Sequence, residues 1–289
     1  MLELKLILCP IDFSEFSVRA YRHALSLAEH YQAKLVALHV VELWRHPSVG
    51  FTASAGLYEE FSQTLCEGGK DQLQEFVKQN PHDAVQPDLL VHKGIAADSI
   101  LSMAQARKAD VIVMGTHGRR GYDRLMLGSV TDRVMRKASC PVLVVSHARD
   151  AASTGTKHRL TQVLFCTDFS ANSKRALRYA ISATEEYDAV LTLLHVLEEA
   201  SSKKLAAKTA ATERLEKLIL PEERRNLKVK TTVRVGNPYQ EIIQLASELS
   251  ADIVIMGVHG RGALDLAVFG STTYRVMQLG PCPVLAVRT

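Results

Sequence analysis

Two stretches of this chain place glycines where their chemistry matters. Residues 111–114 are four apolar residues running straight into Gly115. Gly118 follows three residues later, and after nine more come Gly128 and Ser129, which open a segment with helical apolar spacing, residues 130–137. The layout recurs with the same spacing as Gly257, Gly260, Gly270 and Ser271. A short buried strand ending at a glycine turn, followed by a helix, is the local reading. Ser129 stands where an N-cap is expected. Glycine accepts positive φ and, lacking Cβ, lets a ligand touch bare backbone. A helix N-terminus adds unpaired N–H groups and a partial positive charge. Together they form an anion site, most naturally for phosphate. Glycines at strand ends also serve turns alone, but two copies with identical spacing favour phosphate binding for both.

Asp12 and Asp168 stand just after the first strand of each half. In open parallel sheets ligands bind beyond the carboxyl ends of the strands, at the point where strand order reverses. If strands one and four are neighbours, the aspartates and the glycine loops line one crevice. An aspartate there accepts ribose hydroxyls or helps hold Mg²⁺; a turn or helix-start role is the equally open alternative. His39 and His195 lie on apolar strands and read as satisfied core histidines. His117 and His259, inside the loops, read as structural donors or phosphate contacts, and no supporting metal ligands accompany them. The first loop also carries Arg119, Arg120 and Arg124, whereas the second keeps Arg261 but has Gly262 and Leu266 at matching places. Charge-assisted bonds to phosphate and a solvated loop surface are both open for these arginines.

The elements that must position these residues follow from an internal repeat. Residues 6–42 match residues 162–198 without gaps at an offset of 156, and residues 94–145 match residues 236–287 at an offset of 142. The first half therefore carries about 14 extra residues between His39 and Gly94. In the first copy, strands are expected at 4–9, 34–41, 88–92, 111–114 and 142–145. Helices are expected after Ser14, over 57–79, 97–106 and 130–137, and a polar insert over 45–56. The second copy places strands near 163–166, 189–196, 229–233, 253–256 and 284–287. Alternating strand and helix implies parallel pairing with right-handed crossovers. The expected fold class is α/β: two tandem Rossmann-like domains, each an open five-stranded parallel sheet with helices on both faces. The domains are expected at 1–147 and 158–289, joined by a small, polar linker over 148–157.

Composition sets the class. The 289 residues are 47% hydrophobic, enough for buried cores in two domains. The 35 Lys and Arg against 31 Asp and Glu leave a charge of +4, too mild to argue for a nucleic-acid or membrane partner. Apolar runs are strand-sized, and the first residues lack a basic leader and cleavage site. The five cysteines form no C-x-x-C pair, which suggests buried reduced thiols and a cytoplasmic location.

This combination resembles the universal stress protein family in its tandem two-domain form. ATP-binding members carry G-x-x-G-x9-G-S/T, matched here by both glycine–serine sets; the openings I-L-C-P-I-D-F-S and V-L-F-C-T-D-F-S and the closing C-P-V-L-V-V and C-P-V-L-A-V are similar too. The likeness spans nearly the whole chain apart from the linker and the insert. It implies that Asp12 and Asp168 contact ribose, that Val40 or Val41, and Val196, border adenine, and that Met114 and Met256 approach the nucleotide. Gly115, Gly118, Gly128, Ser129, Gly257, Gly260, Gly270 and Ser271 would hold phosphates, with backbone contacts from Val130 and Thr272. The implied cofactor is ATP, or AMP or ADP, with Mg²⁺ as a companion. The implied role is regulatory, in the stress response, with slow ATP hydrolysis or an interaction scaffold with inactive pockets as alternatives. The implied assembly is an intrachain pseudo-dimer in which the closing strands meet, with a homodimer of whole chains as a further association.

Overall fold

The computed structural model describes residues 3–42, 55–116, 127–146, 160–198, 205–258 and 270–288. Gly118, Gly260, the loop histidines and arginines, the linker and nearly all of the insert lie outside these residues.

Strand and helix alternate through both repeats. The first runs β1 (Leu6–Pro10), α1 (Glu15–Tyr31), β2 (Lys34–Val41), α2 (Ala55–Gln79), β3 (Asp88–Lys93), α3 (Ala96–Arg107), β4 (Val111–Gly115), α4 (Ser129–Lys137) and β5 (Val142–Val145). The second runs β6 (Gln162–Cys166), α5 (Ala171–Tyr187), β7 (Val190–Leu197), α6 (Leu205–Glu216), α7 (Pro221–Arg224), β8 (Lys228–Val235), α8 (Pro238–Glu248), β9 (Ile253–Gly257), α9 (Ser271–Leu279) and β10 (Val284–Val287). The second repeat breaks its long helix after Glu216, and Pro221 starts a new turn because its fixed φ suits a first helical position.

One compact unit contains β1 to β4 with α1 to α4, in the strand order β3-β2-β1-β4. There β1 pairs in parallel with both β2 and β4, and β2 with β3. The other unit contains β5 to β10, in the order β5-β10-β9-β6-β7-β8. From β10 to β8 every pairing is parallel, which gives the second repeat its five-stranded sheet. The closing strands do meet: β5 pairs antiparallel with β10, Val144 opposite Val284. Parallel pairing needs helical crossovers that cover the sheet, so the inner strands are apolar, whereas β3 carries Asp88, His92 and Lys93 and β8 carries Lys228, Lys230 and Arg234. Ile7, Leu8 and Cys9 are fully buried in β1, as are Leu164 and Phe165 in β6.

Strand order reverses between β1 and β4, and again between β6 and β9. The two helices that leave the first strands start alike. Ser14 caps α1 by accepting from Ser17 N at 3.2 Å, and Ser170 caps α5 from Ser173 N at 3.2 Å. Phe13 and Phe169, just before these caps, both adopt φ of 63°. That left-handed turn swings the chain from strand into helix at an energetic cost for a bulky residue. All five cysteines are free, and Cys9, Cys166 and Cys282 are buried. Burial pushes the Cys140 thiol up to about 11, which leaves it protonated and unreactive near neutral pH.

Candidate functional site

The crevice is built from the two strand ends that adjoin at each reversal. Asp12 lies two residues past β1 and Gly115 closes β4, with Leu8 opposite Ile112 in the register. Asp168 lies two residues past β6 and Gly257 closes β9, with Cys166 opposite Met256. The expectation that strands one and four adjoin therefore holds in both repeats, and each aspartate shares its strand-end region with a glycine turn.

Each aspartate does part of the turn work. Asp12 Oδ1 accepts from Ser14 Oγ at 2.6 Å and from Ser14 N at 3.1 Å. Asp168 Oδ1 accepts from Ser170 N at 3.0 Å. These bonds aim the carboxylate and hold the capping serine at once. Asp168 has a second property: its Oδ2 is buried and has no hydrogen-bond partner. Burial pushes the Asp168 carboxyl up, but the Ser170 hydroxyl and amide, together with the Ser173 hydroxyl and the Asp168 amide, outweigh it and hold the group below its ordinary value. The site thus presents an ionised oxygen in want of a donor, a cost that a ligand hydroxyl would remove.

The histidines anchor the same corner. His39 Nδ1 lies 2.8 Å from Ile11 O, and His195 Nδ1 lies 2.7 Å from Thr167 O. Each carbonyl belongs to the residue just before the aspartate. The Phe13 ring sits 4.5 Å from His39, and Phe169 sits 4.5 Å from His195. The imidazoles are half-buried, each with a backbone carbonyl at Nδ1, and they tie the end of the second strand to the aspartate turn. Spacing along the chain gives no sign of this, because the partners are 28 residues apart.

At the helix starts the structure shifts one assignment. Ser129 and Ser271 are the first helical residues, and Gly128 and Gly270 are the N-caps, without any side-chain capping bond. A glycine cap leaves the first-turn amides free of the side chain that Ser, Thr or Asp would fold over them. Ser129 and Ser271 are exposed, and Val130 and Thr272 are partly so. Thr131 and Thr273 bind each helix start to its strand end: their Oγ1 atoms donate to Gly115 O at 2.9 Å and Gly257 O at 3.2 Å.

Gly115 and Gly257 also have a packing reason for being glycine. A Cβ on Gly115 would lie 2.6 Å from Phe16 Cβ, and one on Gly257 would lie 2.8 Å from Ser173 N. The strand ends lie directly under the first turns of α1 and α5. Val40, Val41 and Val196 are half-buried at the ends of β2 and β7, while Met114 and Met256 are buried, each 5% exposed. Among the described residues, no cluster of three or more His, Cys, Asp or Glu is placed to hold a metal ion. No helix among the described residues is long and apolar enough to cross a membrane.

Comparison with known proteins agrees with this architecture. The model of the universal stress protein family matches residues 3–146 and 160–288. A universal stress protein of Methanocaldococcus jannaschii is 39% identical over 141 residues, which is 49% of this chain and 81% of that protein. One from Synechocystis is 24% identical, with 99% of this chain and 100% of that protein covered. The crystal structure of a universal stress protein from Archaeoglobus fulgidus superposes with a TM-score of 0.70 at 22% identity, over 98% of this chain and 96% of that one, which shows a shared fold. Two matches to the family model in succession, each carrying its own aspartate turn and glycine–serine helix start, place this chain in the universal stress protein family.

Proposed function

We propose that the chain is a cytoplasmic adenine-nucleotide-binding protein of the stress response, in which ATP occupancy regulates rather than feeds metabolism. The observation that carries this reading is the partnerless, buried Oδ2 of Asp168, next to a strand-end glycine and in the repeat whose α9 has a bare glycine cap. A ribose hydroxyl suits the first, and phosphates suit the second. Asp12 and Asp168 would take the ribose; Val40, Val41 and Val196 would flank the base. The backbone at Gly128, Ser129, Val130, Gly270, Ser271 and Thr272 would face the phosphates, with Gly118 and Gly260 in the intervening loops. Mg²⁺ would accompany the phosphates.

Titration calorimetry with ATP on wild type, Gly118→Val, Gly260→Val and the double variant tests the assignment. A branched side chain fills the space where phosphate must meet backbone. Each single variant is expected to lose one site, and the double variant to lose binding altogether. Unchanged binding by a well-folded double variant removes these loops from the phosphate site. Wild type is also expected to melt higher with nucleotide: ligand at about 100 times its Kd adds about 2.7 kcal/mol, and each kcal/mol moves Tm by roughly 2–4 °C at this domain size.

A further inference from the structure

We propose that the second repeat carries another ligand pocket, outside the strand-end crevice, which takes a small amphiphilic anion: an apolar body bearing one carboxylate-like head group. A cavity of about 490 Å³ lies between α5 and the α6–α7 segment. That size falls within the roughly 300–1,000 Å³ usual for small-molecule sites. Its floor is apolar, with Phe169 and Leu177 buried and Leu218 half-buried. Its rim carries Lys174, Arg178, Arg214 and Lys217 against a single acid, Glu223. Glu223 is already engaged, since its Oε2 accepts from Leu220 N at 3.3 Å. Among the described residues, no carboxylate pairs with Lys174, Arg178 or Lys217.

The first repeat supplies the control. The offset of 156 sets Phe169 and Leu177 against Phe13 and Tyr21, and the offset of 142, carried back into the preceding helix, sets Leu218 against Phe76. The alignment of the helices is anchored by Leu73 and Leu215, both fully buried. In the first repeat the Phe76 ring stands 5.3 Å from Tyr21 and 5.9 Å from Phe13, so aromatic rings occupy the place. In the second, two leucines replace Tyr21 and Phe76, and α6 ends four residues before Leu220, so the space is open. The rim differs in the same sense: Lys174, Arg178, Arg214 and Lys217 stand where the first repeat has Val18, Arg22, Gln72 and Glu75. One repeat has thus lost its aromatic filling and gained three cations around the gap.

Arg214 shows how the head group would be met. Its Cζ lies 4.0 Å from the centre of the Phe169 ring. Stacking uses the guanidinium face and leaves its edge, a planar fork of N–H donors, for a carboxylate. Arg178 and Lys174, one helical turn apart on α5, add charge from the facing wall. An apolar body would lie on Leu177 and Leu218, where burial is favourable in proportion to area. A cation would meet four like charges against the one carboxylate of Glu223, and a purely polar anion leaves the floor uncovered.

The test uses octanoate and octylamine, the same chain with opposite charge, titrated calorimetrically into the full-length protein. Octanoate is expected to bind wild type and octylamine is not. Leu177→Tyr/Leu218→Phe, which restores the first repeat's packing, is expected to lose octanoate while melting no lower than wild type. Arg178→Glu/Arg214→Glu changes exposed residues only, so it tests the site should the filled variant fail to fold. It is expected to weaken octanoate by about tenfold or more, the loss of a charge-assisted hydrogen bond. Wild type that ignores octanoate at millimolar concentration, or takes octylamine as well, overturns the proposal. So does octanoate binding that survives both pairs of substitutions.

Discussion

Asp168 shows how one side chain serves fold and ligand at once. Its Oδ1 fixes the turn, and its Oδ2 is left over. Because hydrogen bonds to the ionised form depress its pKa, the stability it contributes is complete above the ordinary value of 3.8 and is lost as pH falls through the lower folded value. Asp168→Asn keeps an acceptor for Ser170 but removes the charge. It is expected to be less stable than wild type at neutral pH in urea, with the gap narrowing as the pH of both proteins is taken below the ordinary carboxyl value of 3.8. A gap that stays constant counts against the charge having this role. In the same variant ATP is expected to bind the second site about tenfold more weakly, the value of one hydrogen bond to a charged group. Gly115 gives a second prediction at this scale. Gly115→Ala drives a methyl to within 2.6 Å of Phe16 Cβ, so α1 must shift. A loss of about 1–3 kcal/mol is expected in denaturant unfolding. An unchanged midpoint would mean that the strand–helix contact gives way freely.

The elements were the most legible level. Apolar runs bounded by glycine and proline located the strands, and the 3.6-residue period located the main helices, since both signals are local. What stayed hidden depends on contacts between distant residues. The N-cap shift from Ser129 to Gly128 was invisible because Ser is the stronger capping type, yet here it enters the helix. His39 and His195 could be read as satisfied groups, but their carbonyl partners 28 residues away could not. Likewise nothing local marks Thr131 and Thr273 as the ties between helix start and strand end. Thr131→Val tests that tie. The change keeps the shape and removes the donor, which leaves Gly115 O buried without its 2.9 Å partner. A cost of about 1–3 kcal/mol is expected from an unmet buried acceptor. Thr273→Val is expected to cost less, because its bond is longer at 3.2 Å and only part-buried. Equal and negligible losses in both would show that the helix starts are held by packing alone.

At the scale of the molecule, the repeat in the sequence and the compact units in space divide differently. The chain repeats from residue 6 and again from residue 162, yet β5, the last strand of the first copy, belongs with β10 of the second. Val142, Leu143 and Val144 lie opposite Ala286, Leu285 and Val284, and Ser146 Oγ donates to Gly280 O at 3.2 Å. Without β5, the β10 edge presents unpaired N–H and C=O groups on an apolar strand, the form of edge that recruits another chain. A fragment of residues 158–289 lacks that cover, whereas residues 141–289 retain it. The shorter fragment is expected to self-associate through β10 in antiparallel fashion, an arrangement that closes on itself with two-fold symmetry. The longer one, with its β10 edge covered by β5, is expected to be the more stable of the two. Leu285→Lys in the shorter fragment should restore the monomer, since an edge lysine resists strand addition. Sedimentation velocity on the three proteins decides it: a shorter fragment that stays monomeric and as stable as the longer one would show that β5 is dispensable to the second unit.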